Sequence, residues 1–354
     1  MATSNPQVAP TRYARLACAC NCAYGISTRT GAYTPPAIYD AGVGWKKPPA
    51  PFSAPESGDP AGARINACLV GLNQDGIIVA MRGTLPPAWT VASLEDWWQD
   101  IVDSAPIDAP PLSGKVHEGF WHALQTLWPK VLPEIKALHQ ANPGMKIHFT
   151  GHSKGGPLAS IGAALLAVGD RIGVEEVVTF ASPHPGNGDF AAHYPIAVTR
   201  FENYLDLVPF LPPSDEFYQD FNKIIPSWVR STFCGWFPSI CTALDHASQW
   251  DYQPLGVLNY ITDNGTVVNK ENPDANPYFR LVEILAALLG FTSATEFTEA
   301  IKTQRQATLS DAGLDRIGAA HCIACRSNDK SALCAGGYMT GAGGNPICPG
   351  AKTA

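Results

Sequence analysis

The chain has 354 residues, 45% hydrophobic and 16% charged, which is typical of a globular protein with a sizeable buried core. Its formal net charge is −7 and its basic residues are scattered, so it lacks the cationic surface that nucleic-acid binding requires. No apolar run approaches the ~18 residues of a membrane-spanning helix, and we therefore expect no transmembrane segment.

The first quarter of the chain combines a helix, a proline-rich stretch and a hairpin. Residues 11–27 are rich in alanine and predict a helix, and residues 34–62 are rich in Pro and Gly. That composition indicates a surface belt rather than a linker between domains. Two apolar runs, Ala67–Leu72 and Ile77–Met81, flank the turn-like segment Asn73–Gly76. The sequence predicts a β-hairpin there.

From the hairpin onward, strand and helix signals alternate. The predicted helices and strands are 120–141 (helix), 146–150, 175–180, 196–201 and 256–262 (strands) and 278–289 (helix). Such alternation is typical of an α/β protein with a mostly parallel sheet covered by helices on both faces. The aromatic residues of 214–250 interrupt the pattern, and predict either an inserted cap or a peripheral packing helix.

The segment Gly151-His-Ser-Lys-Gly-Gly156 follows an apolar strand and precedes a helix of small residues. Its serine has a glycine two residues away on each side, which permits a sharp strand-to-helix turn. The helix dipole would then point its positive end at any anion forming beside the hydroxyl. The pattern predicts a nucleophile at Ser153, against the alternative of an ordinary glycine-rich turn.

A serine hydroxyl is a poor nucleophile near neutral pH unless a base and an orienting carboxylate assist it. In α/β-hydrolases these residues follow in the order Ser, acid, His. Asp206 lies just beyond a strand and before several prolines, where catalytic residues of such sheets are placed. We expect Asp206 to be the acid, with Asp189 and Asp220 as weaker alternatives.

Four histidines follow Ser153 in the chain. His184 and His193 precede Asp206, so the chain order disfavours both. His246 and His321 remain, and His321 is favoured as a loop histidine because it follows the last strand and helix signals, whereas His246 precedes them.

Two backbone amides are needed for the oxyanion of an acyl-transfer reaction. The amide of Lys154 directly follows the nucleophile. The second donor should come from a turn after an earlier central strand, and Thr84 ends such a run. We therefore expect the oxyanion hole at Thr84 and Lys154, with a purely structural turn as the alternative for Thr84.

These motifs, taken together, resemble the class 3 lipase family, which includes fungal triacylglycerol lipases and plant lipases. The resemblance covers about residues 60–325. It implies a single-domain α/β-hydrolase over residues 1–354, with a helix and belt before residue 60 and a Cys/Gly-rich tail at 326–354. The matching motifs are Arg82-Gly83-Thr84 with Asp96-Trp97 and Asp100, Val116–Phe120, Thr150–Gly156, Phe180–Asn187 and Asp206–Pro213.

The resemblance also implies a function. We expect hydrolysis of carboxylic esters of acyl lipids through an acyl-enzyme on Ser153, without a cofactor or metal and with a substrate presented at a lipid–water interface. One alternative is a non-lipolytic esterase acting on short-chain, feruloyl or polyester substrates. An alternative of another class is a hydrolase-fold protein that binds ligands without turnover.

The sequence departs from the family at two positions. Lys154 stands where leucine is usual, so its ammonium either attracts anionic groups to the site or points into water. Ser248 replaces a usual glycine in the segment 245–250, and in members with that segment the catalytic histidine comes later, which supports His321. His117 and His152 occupy structural turns in the family.

In the family a lid helix follows the Arg-Gly-Thr motif, and residues 86–100 occupy that place here. Its tryptophans could form the apolar underside of a lid, or could equally be core residues. A lid predicts faster turnover at lipid interfaces, because its apolar underside would cover the site in water and move away from the site when it contacts lipid.

The ten cysteines do not by themselves indicate in which cellular compartment the protein acts. No signal peptide is visible at the N-terminus, which predicts a cytoplasmic protein unless a secretion signal was removed. Disulfides would instead imply an oxidising compartment. The late cluster of Cys322, Cys325, Cys334 and Cys348 allows disulfides, free thiols or a zinc site, although the spacing provides only one C-x-x-C.

Overall fold

The computed structural model describes residues 8–55, 62–63, 65–84, 104–305, 308–323 and 337–343. Its helices are α1 (Arg12–Ala23), α2 (Ala37–Val43), α3 (Glu118–Ala141), α4 (Gly155–Ala164), α5 (Gly188–Ala192), α6 (Asp215–Ile224), α7 (Ser227–Trp236), α8 (Pro238–Trp250), α9 (Pro277–Leu288), α10 (Ala294–Lys302), α11 (Asp311–His321) and α12 (Gly337–Gly341). Its strands are β1 (Ala50–Ala54), β2 (Asn66–Leu72), β3 (Ile77–Met81), β4 (Pro106–Asp108), β5 (Lys115–His117), β6 (Ile147–His152), β7 (Glu176–Phe180), β8 (Gly186–Asn187), β9 (Val198–Asn203), β10 (Tyr252–Gln253), β11 (Val257–Ile261) and β12 (Val267–Val268).

Within the described ranges, eight strands form the central sheet in the order β1-β2-β3-β6-β7-β9-β11-β12. The strands from β3 to β11 run parallel to their neighbours, whereas β1, β2 and β12 are antiparallel additions at the two edges. The predicted hairpin is formed by β2 and β3. The expected mostly parallel sheet is therefore confirmed. A smaller antiparallel sheet joins β10, β8, β5 and β4.

Helices cover both faces of the central sheet. On β3, Ile77, Val79 and Met81 belong to the core that includes α3 and α4, while Ile78 and Ala80 belong to the core under α1. All five residues are buried. A strand buried on both faces needs apolar side chains throughout, which is why this segment is a continuous hydrophobic run rather than an alternating one.

Helix α1 lies directly on the sheet, against β3 and β6. Its small residues permit this close approach: Ala14, Ala17, Ala19 and Cys20 are completely buried. Thr11 caps the helix by accepting a hydrogen bond from the amide of Ala14 at 3.0 Å. The C-cap of the helix is Tyr24, whose hydroxyl contacts His152 at the end of β6. The turn that carries Ser153 begins there.

Two predicted segments differ in detail. The belt over residues 34–62 contains α2 and β1, because α2 packs on α1 and β1 pairs with β2. The aromatic segment 214–250 forms α6, α7 and α8. Its buried rings Phe217, Phe221 and Phe233 contact one another in sequence, and Phe217 also contacts Phe210, which precedes the segment. These helices are therefore packed on the core. The expected lid at 86–100 lies outside the described residues.

The described helices include none that combines the length and the apolar character needed to cross a bilayer.

Candidate active site

The turn from β6 to α4 holds Ser153 at its apex. Ser153 has a φ of 56°, in the left-handed region that residues other than glycine rarely occupy. A methyl group on Gly151 would collide with the carbonyl oxygen of Gly155, and one on Gly155 would collide with that of Met81. Glycine is therefore required at both positions by the close approach of backbone, while Ser153 carries the strained conformation.

The hydroxyl of Ser153 is buried, and among the described residues its Oγ has no hydrogen-bond partner. A buried hydroxyl without a partner is destabilising, so native proteins keep few of them. Ser153 also precedes the N-terminus of α4, whose dipole places positive potential beside it. The strained backbone, the buried hydroxyl without a partner and the positive end of the helix dipole are therefore all found at Ser153.

Asp206 and His321 form a buried pair. His321 Nδ1 donates to the Asp206 carboxylate, at 3.0 Å from Oδ2 and 3.1 Å from Oδ1. Asp206 follows β9 and is 0% exposed, and Oδ1 also accepts the amide of Val208 at 3.0 Å. His321 is the last residue of α11 rather than a loop residue as expected. Although 115 positions apart in the chain, the two side chains are in direct contact.

His152 connects the nucleophile turn to His321. Its Nε2 lies 2.7 Å from the backbone carbonyl of His321, and its Nδ1 lies 2.7 Å from the hydroxyl of Tyr24. Since a carbonyl only accepts hydrogen bonds, Nε2 of His152 donates to His321. His152 thus fixes the backbone of His321, and both of its ring nitrogens are engaged in these two contacts.

The Arg82-Gly83-Thr84 turn lies against the Ser153 turn. A methyl group on Gly83 would lie 2.6 Å from the carbonyl of His152 and 2.9 Å from Cβ of Ser153. The buried guanidinium of Arg82 holds this turn by donating to the carbonyls of Ile26 and Ile65, at 2.5 and 2.7 Å. Thr84 therefore follows a residue in contact with Ser153, and Lys154 stands at the N-cap of α4.

The rejected alternatives lie elsewhere. His246 is on α8, stacked on Trp250 with ring centroids 4.9 Å apart. His184 donates to the carbonyl of Pro212 at 2.8 Å, and its burial lowers its pKa to about 4. The exposed Asp189 pairs with the exposed His193, and Asp220 pairs with Lys223.

His117 caps α3 and stacks on Phe120, with ring centroids 4.1 Å apart. This is the structural turn that was expected for it. Lys154 is partly exposed, and the geometry of its backbone at the N-cap is helical, with φ −45° and ψ −30°. The replacement of leucine by lysine therefore leaves the turn intact.

The cysteines of α1 are not reactive thiols. Burial raises the pKa of Cys18 and Cys20 to about 12. Cys234 and Cys241 form a disulfide between α7 and α8. In the part of the chain that the structure describes, no three His, Cys, Asp or Glu side chains cluster as a metal site would require. Cys325, Cys334 and Cys348 lie outside the described residues.

Two tyrosines at the site escaped the sequence analysis. Tyr24 binds His152, and Tyr338 donates to Oδ2 of Asp206. Both lie outside the motifs that resemble the lipase family, in the segments assigned to the N-terminal helix and the tail. The sequence contains no local signal for either contact, because each joins residues more than 120 positions apart.

Part of the chain is similar to known lipases. Residues 78–216 match the family model described as lipase (class 3). Lipase A of Sodiomyces alcalophilus is 31% identical over 170 residues, which cover 41% of this chain and 41% of that protein. Secreted mono- and diacylglycerol lipase 2 of Gibberella zeae is 31% identical over 134 residues, covering 33% and 32%. The chain thus spans less than half the length of these relatives.

Solved structures support the fold. The triacylglyceride lipase of Rhizomucor miehei superposes with a TM-score of 0.51 at 20% identity, covering 72% of this chain and 81% of that one. A lipase from Rhizopus microsporus var. chinensis has a TM-score of 0.50 at 18% identity, covering 84% and 90%. The predicted α/β-hydrolase fold is confirmed, and residues 78–216 of the chain match the class 3 lipase family.

Proposed function

We propose that this chain is a serine hydrolase that cleaves carboxylic esters of acyl lipids, with Ser153 as nucleophile, His321 as base and Asp206 as the orienting acid. The observation that carries the proposal is a strained, buried serine beside a buried Asp–His pair. His152, the neighbour of Ser153, lies with its ring centroid 4.8 Å from that of His321. The base is therefore adjacent to the nucleophile turn.

The hydrogen bond from Nδ1 to Asp206 leaves Nε2 of His321 as the basic nitrogen. Nε2 takes the proton of Ser153 as Oγ attacks the ester carbonyl, and the carbonyl π electrons move to its oxygen. The amides of Thr84 and Lys154 would stabilise this oxyanion. Collapse breaks the ester C–O bond, and the leaving alcohol takes the proton from His321, so the acyl group remains on Ser153.

Water then completes the cycle. His321 removes a proton from a water molecule that attacks the acyl carbonyl, and the fatty acid leaves as Ser153 recovers its proton from His321. Asp206 keeps its negative charge throughout and stabilises the transient imidazolium. No step requires a metal or cofactor.

A fluorophosphonate probe tests this assignment, because it phosphonylates only an activated serine. We expect the wild-type chain to be labelled at Ser153 and Ser153→Ala not to react. Ser160→Ala is the matched control, since Ser160 is a buried serine on α4, the helix that follows Ser153, and its hydroxyl donates to the carbonyl of Gly156 at 3.0 Å. Failure of the wild-type protein to react would leave only the non-catalytic binding protein.

The proposed substrate class rests on two observations. The matched relatives are named as lipases, including mono- and diacylglycerol lipases. In addition, Ser153 is 1% exposed, so an ester carbonyl reaches Oγ only after covering residues move. Contact with a lipid–water interface would favour such an opening, because apolar side chains are more stable in lipid than in water.

Chain-length preference provides the second test. We expect the specific activity on emulsified long-chain acylglycerols to exceed that on dissolved short-chain esters by at least about tenfold, since a covered site is opened by lipid contact. The measurement compares both substrates at the same enzyme concentration, with the active fraction determined by fluorophosphonate titration of a parallel sample. A flat or inverted profile would instead favour the short-chain, feruloyl or polyester esterase.

The secreted alternative has better support than the cytoplasmic one. A relative from Gibberella zeae and another from Fusarium solani are named as secreted. The disulfide between Cys234 and Cys241 is also a bond that persists mainly in oxidising compartments. We therefore propose that this protein acts outside the cytoplasm.

A further inference from the structure

Tyr338 lies on α12, beyond the segment that matches the family model. Its side chain is completely buried. The hydroxyl donates to Oδ2 of Asp206 at 2.5 Å and accepts the backbone amide of Asn203 at 3.0 Å. Because the Asn203 amide can only donate, it directs the hydroxyl proton of Tyr338 toward the carboxylate.

The segment 337–343 is held in place at several points. Gly337 lies so close to the side chain of Asn203 that a methyl group would collide with it, at 2.6 Å from Nδ2. A methyl group on Gly341 would lie 2.5 Å from Cδ1 of Ile261. At the end of the segment, Thr11 donates to the carbonyl of Ala342 at 2.5 Å. The segment therefore bridges the first helix and the loop of the catalytic acid.

Each oxygen of the Asp206 carboxylate has a donor besides His321. Oδ1 accepts the amide of Val208, and Oδ2 accepts the hydroxyl of Tyr338. With both oxygens held, the carboxylate cannot rotate about its Cβ–Cγ bond without losing a hydrogen bond. Burial raises the pKa of Tyr338 well above its ordinary value, so the residue stays protonated and remains a donor.

We propose that Tyr338 is a positioning residue of ester hydrolysis, which fixes the carboxylate of Asp206 in the plane that orients His321 toward Ser153. This inference rests on the proposed function. It assigns the C-terminal segment 337–343 a part in the chemistry, although it lies 16 residues or more beyond His321 and outside the family match. Tyr338 acts only through Asp206 and touches no substrate.

Tyr338→Phe tests the proposal, because phenylalanine keeps the buried ring and removes only the hydroxyl. We expect kcat and the rate of fluorophosphonate labelling to fall roughly 10- to 100-fold, the usual effect of losing one hydrogen bond to a charged group. KM should stay within about twofold, since the substrate does not contact this residue. Rates are measured well below the unfolding midpoint of each variant.

Tyr194→Phe is the matched control. Tyr194 also donates its hydroxyl to a buried acceptor, the carbonyl of Ser160 at 2.7 Å, but it contacts no member of the proposed triad. We expect its kcat to match that of the wild type. Equal losses of kcat in the two variants would mean that Tyr338 contributes only general stability, and would overturn the proposal.

A double-mutant cycle with Asp206→Asn separates positioning from a remote effect. If Tyr338 acts through the carboxylate, Tyr338→Phe slows labelling in the wild-type background and has little further effect in the Asp206→Asn background. The same factor in both backgrounds would overturn the proposal. Absence of labelling in the wild-type chain would instead contradict the proposed function, so the two failures are distinguishable.

Discussion

His321→Ala should slow acylation of Ser153 by at least about a thousandfold, whereas His246→Ala should leave it within about twofold of the wild-type rate. His321 donates from Nδ1 to the buried Asp206 carboxylate at 3.0 Å, so Nε2 is its basic ring nitrogen. His246 lies on α8, where its ring stacks on Trp250 and its Nδ1 is 3.3 Å from the side-chain oxygen of Gln249. Its removal leaves the proposed triad unchanged.

The measurement is the burst phase of a chromogenic ester, which reports acylation separately from turnover. His246→Ala is the matched control, because each variant removes one imidazole from a helix, α8 for His246 and α11 for His321. Full burst rate in His321→Ala would contradict the proposed triad. Loss of the burst in His246→Ala alone would assign the base to α8 instead.

The sequence predicted those parts of the site that depend on local pattern. The glycines around Ser153 and the apolar strand before it are contiguous in the chain, so their spacing alone indicates the turn. Asp206 could be predicted because it lies just beyond β9, at the edge of the sheet where catalytic residues lie. The order Ser, acid, His then limited the base to two residues.

The remaining contacts depend on packing between distant segments. His321 was expected in a loop, but α11 continues to this residue, and only the tertiary fold brings the end of α11 to Asp206. Tyr24 and Tyr338 reach the site because α1 and α12 pack against the same face of the sheet. Neither tyrosine differs in local sequence from an ordinary buried aromatic residue.

The close packing of backbone in this turn also explains why alanine should not be tolerated at its glycines, although lysine stands after Ser153. Lys154 stands at the N-cap of α4 with ordinary helical backbone angles and is partly exposed, so the backbone of the turn accepts a residue larger than glycine there. Neither Gly151 nor Gly155 has a positive φ. Glycine is required at both positions only because the neighbouring backbone leaves no space for a methyl group. The two kinds of position respond differently to substitution.

We expect Gly151→Ala and Gly155→Ala each to lower the free energy of unfolding by about 3 kcal/mol or more and to reduce labelling of Ser153 at least about a hundredfold. The added methyl groups would collide with backbone carbonyls, of Gly155 in the first case and Met81 in the second. The carbonyl of Met81 cannot move aside without disturbing the pairing of β3 with β6, and the carbonyl of Gly155 belongs to the first turn of α4. The turn would therefore shift Ser153 away from His321.

Gly173→Ala is the matched control, because no atom lies within 4 Å of a methyl group at that exposed position. Alanine there should leave both unfolding and labelling unchanged. Chemical denaturation measures the free energy of unfolding, and fluorophosphonate kinetics report the reactivity of Ser153 in the folded fraction. If Gly155→Ala were labelled at the wild-type rate, the turn would have relaxed without moving Ser153. Glycine would then not be what positions the nucleophile.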